Sequence, residues 1–135
     1  MPIAHTHLAV DRGLVGEPLE LAPGRARARL ATTHAMAADD RGLVHGGFVF
    51  GLADFAAMLA VDEPNVVLAS AECRFLAPVV AGEVVEATAE RITVEGNRHR
   101  IRVVVTRGET RVFEGELVAA VPSRHVLDRR PGGGS

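Results

Sequence analysis

The chain has 135 residues, 47% hydrophobic and 24% charged, with a net charge of −2. That length suits one domain with a continuous core, and the near-neutral charge supplies no whole-chain field for nucleic acid. The single cysteine, Cys73, excludes an intramolecular disulfide, and the longest apolar stretch, residues 48–61, is too short to span a bilayer and is broken by Asp54.

The apolar content comes from Ala, Val and Leu, with five Phe and no Trp or Tyr, which suits close packing of a helix on a sheet. All 15 basic residues are Arg. Arg binds phosphate bidentately, although an Ala- and Arg-rich composition is also what nucleotide bias in a genome gives. No charged-then-apolar leader opens the sequence, so the expectation is a cytoplasmic protein with neither a membrane nor a nucleic-acid partner.

Residues 1–13 lack periodicity and read as a loosely held arm. Residues 14–33 look extended, with a turn at Pro23-Gly24 and period-two alternation from Arg25 through Ala26, Arg27, Ala28 and Arg29 to Leu30, as in a half-buried strand. Residues 34–44 read as a loop. The run 48–61 is rich in Leu, Ala and Met and predicts a helix apolar nearly all round, stopped by residues 62–65. Four extended segments follow at 66–79, 83–94, 99–107 and 110–121, divided by turn signals at 81–82, 95–97 and 108–109. The predicted order is strand, strand, one long buried helix, then four antiparallel strands: an α+β fold over residues 14–127 with a flexible Gly-rich tail at 128–135. A helix apolar on all sides predicts a sheet curved around it and a second copy of the chain over what remains, hence a homodimer or a dimer of dimers.

Candidate chemistry gathers at the start of that helix. Gly46 and Gly47 permit close approach to the unpaired first-turn amides, which can hold a carbonyl oxygen or an oxyanion; alternatively they allow only a tight turn. Asp54 is the one ionisable residue between Phe48 and Val61, and its helical neighbours Phe50, Gly51, Ala57 and Met58 are not polar. A carboxylate there is costly unless paired, which favours function over a solvent-facing strip. His45 precedes Asp54 by nine positions, too far for pairing along one helix. No Cys/His cluster has metal-ligand spacing, so no metal is expected, and Cys73, with Ala71 and Phe75 on its strand face, reads as core.

The segment from His45 through Gly46, Gly47 and Phe48 to Asp54 resembles the helix-opening motif of hotdog-fold acyl-CoA thioesterases, especially the phenylacetate-pathway type. Phe75-Leu76-Ala77-Pro78 followed by Gly82-Glu83 is similar to that family's next strand and turn, and the likeness runs over residues 39–121. The resemblance implies a hotdog fold, dimeric or tetrameric, with sites between subunits. It implies Asp54 as general base or nucleophile, Gly46 as the amide that polarises the thioester carbonyl, and His45 as the motif histidine. Coenzyme A enters as part of the substrate, with no separate cofactor. Many relatives carry Asn six positions before this His; here Asp39 offers acceptors but no amide donor. Asp39, Gly47, Phe48, Phe55, Met58 and Phe75 are the expected substrate contacts, and Arg98 and Arg100 are candidates for the coenzyme A phosphates. Two alternatives remain. One is a non-catalytic acyl-CoA-sensing regulator, for which the arm is too short to bind DNA. The other is an enoyl-CoA hydratase, whose Asp–His spacing Asp40 and His45 reproduce without the expected residues between them.

Overall fold

A computed structural model describes residues 3–129. A four-residue helix α1 (Arg12–Val15) leads into β1 (Glu17–Ala22) and β2 (Arg25–Ala31). The long helix α2 (Gly46–Val61) comes next, then β3 (Val67–Phe75), β4 (Val84–Glu95), β5 (Arg98–Arg107) and β6 (Thr110–Ala120). The six strands form one antiparallel sheet in the order β1-β2-β4-β5-β6-β3. The helix inserted between β2 and β3 sends the chain across the sheet, so β3 becomes an edge strand beside β6.

Alternation builds the inner face. Ala26, Ala28 and Leu30 of β2, with Val85, Ala87 and Ala89 of β4, are at most 1% exposed. The arginines between them turn outward and meet glutamates across the strands, as in Arg25–Glu90 at 2.9 Å and the Arg27–Glu86 pair. Such exposed pairs contribute little singly, roughly 0–1 kcal/mol each. Ala53, Ala56, Ala57 and Ala60 of α2 are buried with the sheet alanines, and small side chains on both elements allow the backbones to come close.

The other side of α2 is covered from within the chain. Gly16 packs on Leu52, and the segment expected to be a loose arm is anchored through some of its residues: Ala4 and Val10 pack on the core, Thr6 is 4% exposed, and the His7 ring stands 6.4 Å from that of Phe55. The helix ends at Asp62, whose left-handed backbone (φ 54°) lets its N–H reach the Met58 carbonyl. The Asp62 carboxylate accepts the His5 N–H at 2.7 Å and lies 2.8 Å from His5 Nδ1, clasping the segment in place. This cover corrects the premise that α2 needs a second chain to bury most of its faces.

Three further expectations are corrected. The start of the extended segment at residue 14 is helical in α1, because the Asp11 side chain caps the turn by accepting the Gly13 N–H. The strand expected to reach residue 79 stops at Phe75, where the Leu76 and Ala77 amides both turn to the Val112 carbonyl. Cys73, read as core, is exposed, because β3 is an edge strand and its inner face, with Ala71 and Phe75, is left largely uncovered. Of the tail expected at 128–135, residues 130–135 lie outside the described residues. No helix among the described residues is long and apolar enough to cross a membrane.

Candidate active site

The approach to α2 is pinned from several directions. Asp39 Oδ1 accepts the N–H groups of Arg41 at 3.0 Å and Leu43 at 3.1 Å, closing a tight loop that Gly42 completes with φ 82°. Val44 N–H donates to the Val79 carbonyl and His45 N–H to that of Met36, both at 2.8 Å. Asp39 therefore shapes the loop before the helix, using acceptor atoms that an Asn oxygen would also provide.

His45 is the N-cap residue, extended at φ −61° and ψ 131°, and its side chain makes no capping bond. Its ring instead folds over the first turn. A Cβ on Gly47 would come within 3.0–3.1 Å of that ring, and a Cβ on Gly46 would stand 3.3 Å from Phe75. The two glycines thus make room for two different rings. The amides of Gly46 and Gly47 have no carbonyl a turn earlier to receive them, and the positive end of the helix dipole adds to their pull on an oxygen.

Two turns on, Gly47, Phe50, Gly51 and Asp54 share one helix face and are incompletely buried, whereas every residue from Phe55 to Val61 is buried. Asp54 Oδ1 is itself buried and has no hydrogen-bond partner among the described residues. Burial without compensation pushes its carboxyl up to about 6. Eight residues of helix separate Gly46 from Asp54, roughly 12 Å, so the two cannot act on one carbonyl within a protomer.

The other expected contacts are scattered. Phe48 is half-buried, with its ring edge-on to His45 at 6.2 Å. Phe55 and Met58 are 2% and 0% exposed and belong to the core. Phe75 is 56% exposed and borders an apolar groove of about 340 Å³ with Val44, Gly46, Val49, Leu76 and Val112. Composition alone missed that groove; its sequence signal is the run Phe75-Leu76-Ala77-Pro78 that closes β3. Arg98 and Arg100 lie on β5 seven and five residues before Val105, the residue level with Phe113 and Phe75, or roughly 16–23 Å away along the strand. They are not near Gly46 of their own protomer, and Arg100 faces Glu116 at 3.3 Å. A larger, shallow depression of about 770 Å³ runs over mixed charges, including Glu72, Arg74, Arg102 and Glu116, and includes neither Gly46 nor Asp54. Its charges largely offset one another, so the apolar groove beside the helix start is the better candidate for chemistry. Among the described residues, no three His, Cys, Asp or Glu side chains are grouped to hold a metal.

An antiparallel sheet wrapped around one long helix is the hotdog fold. The chain belongs to the thioesterase superfamily, whose family model matches residues 41–114. A crystal structure of an uncharacterized protein from Pyrococcus horikoshii is 46% identical, with a TM-score of 0.92 over 95% of this chain and 99% of that one. The structure of a mutant of the phenylacetic acid degradation protein PaaI from Thermus thermophilus is 30% identical, with a TM-score of 0.73 over 81% of this chain and 95% of that one. A methylthioribose-1-phosphate isomerase of Aquifex aeolicus is 47% identical over 112 residues, 83% of this chain. The chain spans 25% of that relative's length, and 59% of the length of the other curated relatives it matches.

Proposed function

We propose that the protein hydrolyses the thioester of an acyl-coenzyme A, releasing the free acid and coenzyme A, in a homodimer whose sites lie between subunits. The observation that carries this reading is Asp54: an unpartnered, desolvated carboxylate on the one strip of α2 left open. A carboxyl near 6 is largely ionised at neutral pH yet basic enough to take a proton from water. In the proposed reaction the thioester carbonyl rests on the Gly46 amide of one subunit. Asp54 of the other removes a proton from the attacking water, or attacks the carbonyl carbon itself to form an anhydride that water then opens. Either way the C–S bond breaks and the sulfur leaves as the coenzyme A thiolate, with the oxyanion held by first-turn amides.

Two features favour the paired arrangement. Gly46 and Asp54 are too far apart to meet within one protomer. The edge strand β3 is exposed at every residue from 69 to 75, and such an edge pairs readily with a second copy. A thiol-release assay across short, long and aryl acyl-CoAs, with an enoyl-CoA hydration assay beside it, tests the reaction. Release of coenzyme A without hydration is the expected result. Binding without release would instead favour a regulatory acyl-CoA-binding domain.

A further inference from the structure

The groove beside Gly46 has the wrong chemistry for most of a coenzyme A thioester and the right chemistry for one part of it. Its side chains are all apolar: Val44, Val49, Phe75, Leu76, Val79 and Val112 among them. Away from the Gly46 amide on its rim, backbone groups of the wall are engaged with one another. The Leu76 N–H donates to the Val112 carbonyl at 2.8 Å, and the Val79 carbonyl accepts the Val44 N–H at 2.8 Å. The amides and hydroxyl of a pantetheine arm would find little to bond there, and a charged group would lose its water without return.

The wall is also fixed in place. Arg107 donates to the Pro78 carbonyl and lies 3.6 Å from Glu83, whose other carboxylate oxygen accepts the Val80 N–H at 2.7 Å. Thr32 Oγ1 accepts the Gly82 N–H at 3.1 Å. A groove braced in this way is formed before a ligand arrives, which lowers the ordering cost of binding.

We infer that this groove is the acyl subsite and that the substrate class is an uncharged, apolar acyl group of medium length, with Leu76 and Ala77 setting the limit. The inference rests on the placement of the thioester carbonyl at Gly46 proposed above, since Gly46 lies on the groove's rim. In one protomer, about 340 Å³ holds on the order of ten heavy atoms at about 30 Å³ each, so a chain of about ten carbons or an aryl-alkyl group is what the protomer's own walls accommodate before the partner copy is added.

The test titrates the intact protein by calorimetry with S-alkyl-CoA thioethers of increasing length, which present the chain but cannot be hydrolysed. The dissociation constant is expected to fall about three- to fourfold per methylene up to about ten carbons and then level off. A carboxylate at the chain tip is expected to weaken binding at least about tenfold. Ala77→Leu should shorten the limit by about three carbons, matching its added atoms. Leu76→Ala, at a position 44% exposed and tolerant of truncation, should lengthen it, so the inference stays testable if the first variant does not fold. Affinity independent of length, indifference to the tip carboxylate, or an unchanged limit in the folded variants would overturn the subsite. A chain-length profile without hydrolysis of any acyl-CoA keeps the subsite and removes the hydrolase reading. Hydrolysis without a chain-length profile does the reverse.

Discussion

The Phe75 ring lies 3.3 Å from the point where a Cβ on Gly46 would stand, so the residue that opens α2 is bare on the side facing the groove. Gly46 does not have a left-handed backbone, so an alanine fits the helix. Its methyl group would push on the ring and crowd the first-turn amides. Gly46→Ala is expected to keep its melting temperature within a few degrees while kcat/KM falls roughly 10- to 100-fold. Thermal melting and steady-state thiol release check the pair, and unchanged kcat/KM would remove Gly46 from the carbonyl site.

Activity should depend on the ionisation of Asp54. Its carboxyl is raised to about 6 by burial, and only the ionised form can accept a proton or attack carbon. The expected profile of kcat/KM rises with pH through about 6 and is level above it. A flat profile from about pH 5 to 8 would contradict the assignment.

The same shift has a consequence for stability. The ordinary value is 3.8 and the folded value about 6, so between them the folded chain holds a proton that the unfolded chain has released. Stability therefore falls as pH rises through that window and stays lowered above it. The loss is on the order of 2–3 kcal/mol, at about 1.4 kcal/mol per unit. Asp54→Asn carries no charge, so it should melt several degrees above wild type at pH 8 and about level with it near pH 4. A variant that melts below wild type at pH 8 would mean that the carboxylate is held by a partner.

The edge strand β3 should be covered in solution. Light scattering or sedimentation at micromolar concentration is expected to show at least twice the chain mass of 14.3 kDa. Hydrogen exchange should show slow amides on both edges of β3, not only on the edge facing β6. A stable monomer with one fast-exchanging edge would remove the shared site.

Much of the fold was legible in the sequence. The Arg–Ala alternation marks β2, the turn signals at 95–97 and 108–109 bound β5, and the apolar run marks α2, which begins two residues before the expected start because both glycines are helical. What was missed depends on contacts between distant residues. The cap that makes α1 helical comes from one side chain, and the His5–Asp62 clasp joins residues 57 positions apart. Of the candidate site, the helix-start position of His45 and Gly46 and the apolar setting of Asp54 were readable, because charge or glycine stands out in an apolar run. Phe55 and Met58 were not distinguishable from lining residues, because an evenly apolar helix gives no sign of which face stays open.

The central claim is thioester hydrolysis by Asp54, and the most direct measurement is thiol release per folded active site by wild type and Asp54→Asn. The asparagine keeps the size and polarity of the side chain but removes the ionisable oxygen, and it leaves Gly46 and the groove untouched. Wild type is expected to release coenzyme A from a medium-chain acyl-CoA. The variant's kcat should be lower by at least about 100-fold, with thioether binding unchanged. A folded Asp54→Asn protein that turns over at the wild-type rate would contradict the mechanism.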